Sequence, residues 1–119
     1  MINVHLEKVF VEFQGSDAPP SEFGKANTRW YATVALDLFD EHRQMKVAEW
    51  FYLIACSPQY LQDPLKRGPR DIGEKYLVVQ DSFNLEEVED IAEQKMATIK
   101  PKNWDEFYAQ MENQFLHED

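Results

Sequence analysis

A single cysteine, Cys56, excludes an internal disulfide and every paired-cysteine metal site, zinc ribbons included. Histidine is almost as scarce. His5, His42 and His117 form neither a His-x3-His nor a His-Glu-x-x-His ligand pattern. Four glycines in 119 residues include no GxGxxG and no Walker loop. Basic residues are outnumbered, twelve Lys and Arg against twenty-two Asp and Glu, for a net charge of −10. That balance argues against direct nucleic-acid binding, which needs cations to displace counterions from phosphate. Long apolar runs are missing too: the stretch Trp50 to Cys56 is far too short to cross a bilayer. The opening "MINVHLEKVF" lacks a basic segment followed by a long apolar one. No secretory leader and no membrane partner are therefore expected, and a reducing, cytoplasmic setting is.

Aromatic residues are plentiful, with eight Phe, five Tyr and three Trp to fill one core, so residues 1–119 read as one domain. "INVHLEKVFVEF" alternates through Ile2, Val4 and Leu6, then changes parity to Val9, Val11 and Phe13, which predicts a bulge near Glu7-Lys8. "GSDAPPSEFG", Gly15 to Gly24, is loop by composition. "RWYATVALDLF" places Trp30, Ala32, Val34, Leu36 and Leu38 on one face, with Arg29, Tyr31, Thr33 and Asp37 on the other. After the charged turn "DEHRQ", the strand "KVAEWFYLIACS" is apolar on both faces. Such a strand is central, or its second face meets something outside the fold. Ser57 and Pro58 open a short helix that Pro64 breaks. "GPRDIGEK" is a loop and "KYLVVQ" a brief fourth strand.

The last third is helical. Asn84 with Glu87 makes a capping-box pattern ahead of the stripe Leu85, Val88, Ile91, Ala92, Met96 and Ile99. Asn103 caps a final helix with Trp104, Phe107, Tyr108, Met111 and Phe115 on one face. The fold class that results is α+β: an antiparallel sheet of about four strands with two C-terminal helices packed on one side.

Cys56 stands at a strand end just before a helix, where a dipole activates catalytic thiols. A phosphatase loop requires Arg six places on, and that place holds Gln62; Arg67 lies beyond Pro64. A papain-like pair requires an imidazole, and nothing in the sequence brings a histidine to Cys56. Cys56 therefore reads as a small buried side chain, and no catalytic residue, metal site or cofactor is expected.

Glu86, Glu87, Glu89, Asp90 and Glu93 spread around the helix side opposite its apolar stripe, as a solvated face does, and equally as a surface that steers a basic partner would. Asp37, Asp40 and Glu41 gather near the second turn. Tyr31, Trp50 and Tyr52 belong to the sheet face away from the helices, and interface hot spots favour Tyr and Trp. If open, that face serves a partner or a homodimer equally well.

Three stretches stand out together: the aromatic-led strand running into Cys-Ser-Pro, "WFYLIACSPQYL"; then "GEKYLVVQDSFNLEEVEDIAEQ"; and "NWDEF". In this order they resemble the Immunity protein 8 family of bacterial polymorphic toxin systems, and Trp104 matches the tryptophan that marks the family. The likeness is carried by residues from Glu49 to Phe115. It implies a cytoplasmic α+β protein that binds and blocks a cognate toxin domain by occlusion, with the acidic and aromatic residues above as contact candidates. Cys56, Ser57 and Pro58 then form a structural corner, and Trp104 anchors the last helix. The alternatives are a small enzyme, or an acidic adaptor for a basic partner protein.

Overall fold

The structure, a computed structural model, describes residues 2–14, 23–62 and 74–118. Most of the loop expected over Gly15 to Gly24, the break at Pro64 and most of "GPRDIGEK" lie outside the described residues.

The parity change near the N-terminus is a bulge. Strand β1 (Val4–Gln14) pairs antiparallel with β2 (Tyr31–Asp40), and their register shifts between Leu6 and Lys8. Glu7 is the extra residue. It lets Val4 and Leu6, then Val9, Val11 and Phe13, face the same core from both halves of the strand. From the neighbouring strand, Trp30, Ala32, Val34, Leu36 and Leu38 enter that core, as the alternation predicts.

The sheet has six strands, not four. Beyond the charged turn, β3 (Met45–Lys46) returns along the end of β2. Further along that same edge, opposite β1, β2 pairs antiparallel with β4 (Trp50–Cys56). Two short strands share the far edge of β4: β5 (Leu77–Val79) runs parallel to its C-terminal half, and β6 (Leu116–Glu118) antiparallel to its N-terminal half. β3 and β6 are too short to leave a period-two signature in the sequence. β5 is the exception to the antiparallel pattern, and its parallel pairing requires a crossover, which α1 (Pro58–Gln62) begins.

Helices α2 (Leu85–Met96) and α3 (Trp104–Gln114) cover one face of the sheet. Val88, Ala92, Phe107 and Met111, with Phe115 just past the last helix, are buried against Phe51, Leu53 and the apolar face of β2. A large apolar side chain among these contributes about 1.5–3 kcal/mol by leaving water. Leu85 departs from the expected stripe. It is 45% exposed, so the first turn of α2 reaches past the buried seam.

The N-cap of α2 also differs from a capping box. Asn84 Oδ1 accepts from Glu87 N, but Asn84 N donates to Gln80 Oε1 rather than to the Glu87 carboxylate. The buried Gln80 amide instead links the two, its Nε2 donating to Asn84 O and to Glu87 Oε1. Phe13, Trp30 and Phe83 meet edge to face at this end of the molecule. Gly24 lies against them with φ 72°, and a Cβ there would stand 2.5 Å from Phe83 Cβ, so only glycine fits.

None of the described helices is long and apolar enough to cross a membrane.

Candidate functional site

Cys56 ends β4 with no exposed surface, and Ser57 next to it acts as a clamp. Ser57 Oγ accepts from Trp30 N at 3.0 Å and from Tyr60 N at 3.2 Å, while Ser57 N donates to Trp30 O at 3.0 Å. One hydroxyl therefore caps α1 and satisfies the buried Trp30 amide just ahead of β2. Pro58 occupies the first helical position, where its missing N–H is not needed. Gln80 N donates to Cys56 O, tying β5 to the same corner.

The histidines are elsewhere. Cys56 pairs with Tyr31 at one end of β2, whereas His5 pairs with Phe39 at the other end, next to the turn that holds His42. His117 pairs with Phe51 near the start of β4, its ring stacked 4.5 Å from that of Phe51. None of the three imidazoles is placed to activate the thiol. Among the described residues, no group of three or more His, Cys, Asp or Glu gathers as a metal site.

The sheet face away from α2 and α3 has two parts. One end is roofed by α1: Tyr60 packs on Tyr31, ring centroids 4.9 Å apart, in a buried cluster with Ile54 and Cys56. Among the described residues no helix covers the rest, which holds a hollow of about 570 Å³. Register explains its shape. Phe10 lies opposite Ala35, and Ala35 opposite Tyr52, so the small Ala35 forms a floor between two aromatic walls. Trp50, 48% exposed, and Phe10, 44% exposed, rise from its sides. Glu12, opposite Thr33, Glu118, opposite Trp50, and Val11 complete the lining.

The residues singled out in the sequence divide between surfaces. Trp50 and Tyr52 line the hollow; Tyr31 is under α1, 8% exposed. Glu86, Glu87, Asp90 and Glu93 are exposed and Glu89 half-buried on α2, across the sheet from the hollow.

Asp37 and Asp40 are both buried and engaged within the chain. Asp37 Oδ2 accepts from Lys46 Nζ at 3.1 Å. Asp40 accepts from the backbone amides of His42 and Arg43 and from Arg43 Nε at 2.7 Å. The Arg43 side-chain bond is the main cause that holds the Asp40 carboxyl below the usual carboxylate range, against the opposing effect of burial. Arg43 also lies 4.5 Å over the Trp104 ring, so it joins the β2–β3 turn to the start of α3, and Trp104 packs in turn on Phe107. Glu41 is exposed beside His5, 3.5 Å away.

Phe10, Glu12, Thr33, Ala35 and Glu118 were not anticipated as site residues. A signal exists for two of them: once the bulge resets parity, Phe10 is an apolar residue on the polar side of β1, and Ala35 is the smallest side chain on the outer face of β2. Glu118 carries none, because β6 is visible only in three dimensions.

A family model described as Immunity protein 8 matches residues 15–118, nearly the whole chain. No curated protein and no solved structure gives a match.

Proposed function

The chain belongs to the Immunity protein 8 family, and from that membership we propose that it binds a cognate toxin domain in the cytoplasm and neutralises it by covering the active site. The observation that carries the docking mode is the open sheet face, where Trp50 and Phe10 stand nearly half exposed around a hollow floored by Ala35. Large aromatic side chains kept in water on a sheet face are the anchors from which protein interfaces are built. The work is done by shape and surface rather than by reaction chemistry, so no cofactor takes part.

The acidic α2 face has a supporting role. Its carboxylates, within a total charge of −10, attract a basic partner over a distance and raise the encounter rate. A nuclease fits this description, since its substrate groove is basic and the bound acidic protein competes with phosphate for it.

This reading expects a toxin gene beside the gene for this chain. The toxin domain it encodes is mixed with this protein, and toxin activity is followed during titration. Complete inhibition at one-to-one stoichiometry, with an isolable complex, is the expected result. Undiminished toxin activity at stoichiometric excess overturns the proposal.

A further inference from the structure

The hollow also specifies the chemistry of what enters it, an inference that rests on the sheet face being the toxin-docking surface. The charged residues lining it are both acidic, Glu12 and Glu118. Trp50 and Glu118 are direct cross-strand partners between β4 and β6, so an exposed indole and an exposed carboxylate stand side by side. That pair suits a cation: the indole face attracts it through the ring quadrupole and the carboxylate neutralises it. A planar guanidinium satisfies both partners better than an ammonium, because it stacks on the ring while its edge donates to oxygen.

Of two lysines near this face, one is paired outside the hollow and the other sits on its rim. Lys46 donates to Asp37 at 3.1 Å, and Lys8 lies over the Phe10 ring at 4.9 Å. A second copy of the chain is a poor occupant, because it would bring another −10 of charge and another pair of carboxylates onto the first. We propose that the partner seats an arginine side chain on Trp50 and Glu118, with apolar surface over Ala35 and a second basic residue at Glu12. By strand spacing and rise, Glu12 and Glu118 lie roughly 20 Å apart, so two separate basic residues are needed.

The test uses a small probe, Nα-acetyl-arginine methylamide, titrated into the intact protein at constant ionic strength and followed by 1H–15N NMR. The uncharged citrulline analogue is the control. Saturable shifts are expected at the Trp50 indole N–H and at the amides of Tyr52 and Glu118, with a dissociation constant of roughly 10–100 mM. Glu118→Gln is expected to weaken the probe about fivefold, the size of an exposed ion pair, and Glu86→Gln to leave it unchanged. Equal shifts from the citrulline analogue, shifts confined to other surfaces, or an unaltered Glu118→Gln titration would each overturn the inference. The two readings fail separately. If Trp50→Ala abolishes toxin binding while the probe ignores the hollow, docking stands and the arginine inference falls; if the toxin is indifferent to Trp50→Ala, the docking mode falls instead.

Discussion

Ser57 and Asp40 show how much one short side chain can hold. Ser57 serves Trp30 N and Tyr60 N at once, in a place without solvent to replace it. Ser57→Ala removes a helix cap and strands a buried amide, and a loss of about 1–3 kcal/mol in urea denaturation is expected. Asp40 acts through charge. Its folded pKa lies below the unfolded value, so its contribution is present above the ordinary carboxylate range and lost as pH falls through the folded pKa. Asp40→Asn is expected to lower stability at pH 7 by about 1–2 kcal/mol, and the gap to the parent protein should close in acid. Equal differences at both pH values would show that shape, not charge, matters at this turn. Of the two roles, only the first was legible in the sequence. Ser-Pro before an apolar-patterned helix announces a cap, whereas Asp40 reads as a solvent-facing acid until Arg43 is seen folded back onto it.

Among the elements, β4 was the most informative in sequence and β6 the least. Apolar residues on both faces leave β4 either a central strand or one whose second face meets something outside the fold; it is central, with α2 and α3 over one face and α1 over part of the other. The uncovered part holds Trp50 and Tyr52. The bulge in β1 was also readable, because a parity change has one economical explanation. β6 was not, since "LHE" matches no pattern and its pairing is decided by where α3 delivers the chain.

That short strand still matters. His117 stacks on Phe51, its Nδ1 lies 2.9 Å from Glu112 Oε1, and Leu116 packs on the Tyr31 cluster. Ending the chain after Phe115 should therefore lower amide protection at Trp50–Tyr52 in hydrogen exchange, while Leu53–Cys56, next to β5, stays protected. Uniform loss along β4 would instead mean that β6 supports the whole sheet.

On the scale of the whole molecule, the acidic helix face and the proposed docking face occupy opposite sides. The acidic face of α2 and the aromatic hollow are separated by the sheet, so they should affect different rate constants. Neutralising Glu86, Glu89 and Asp90 together is expected to slow association and flatten its salt dependence, with little change in dissociation. Changes at Trp50 should act mainly on dissociation. Composition made the charge legible from the outset, but not the hollow proposed to anchor the partner, whose shape depends on the positions of α1 and Ala35.

The most direct measurement is the affinity of the purified toxin domain for the parent protein, for Trp50→Ala and for the Glu86, Glu89 and Asp90 glutamine/asparagine variant, all at one salt concentration. Docking through the sheet face predicts that Trp50→Ala weakens binding by about thirtyfold or more, the mark of a hot-spot aromatic, while the helix variant stays within about fivefold of the parent. A folded Trp50→Ala protein that binds as tightly as the parent, beside a helix variant that does not bind, would contradict it.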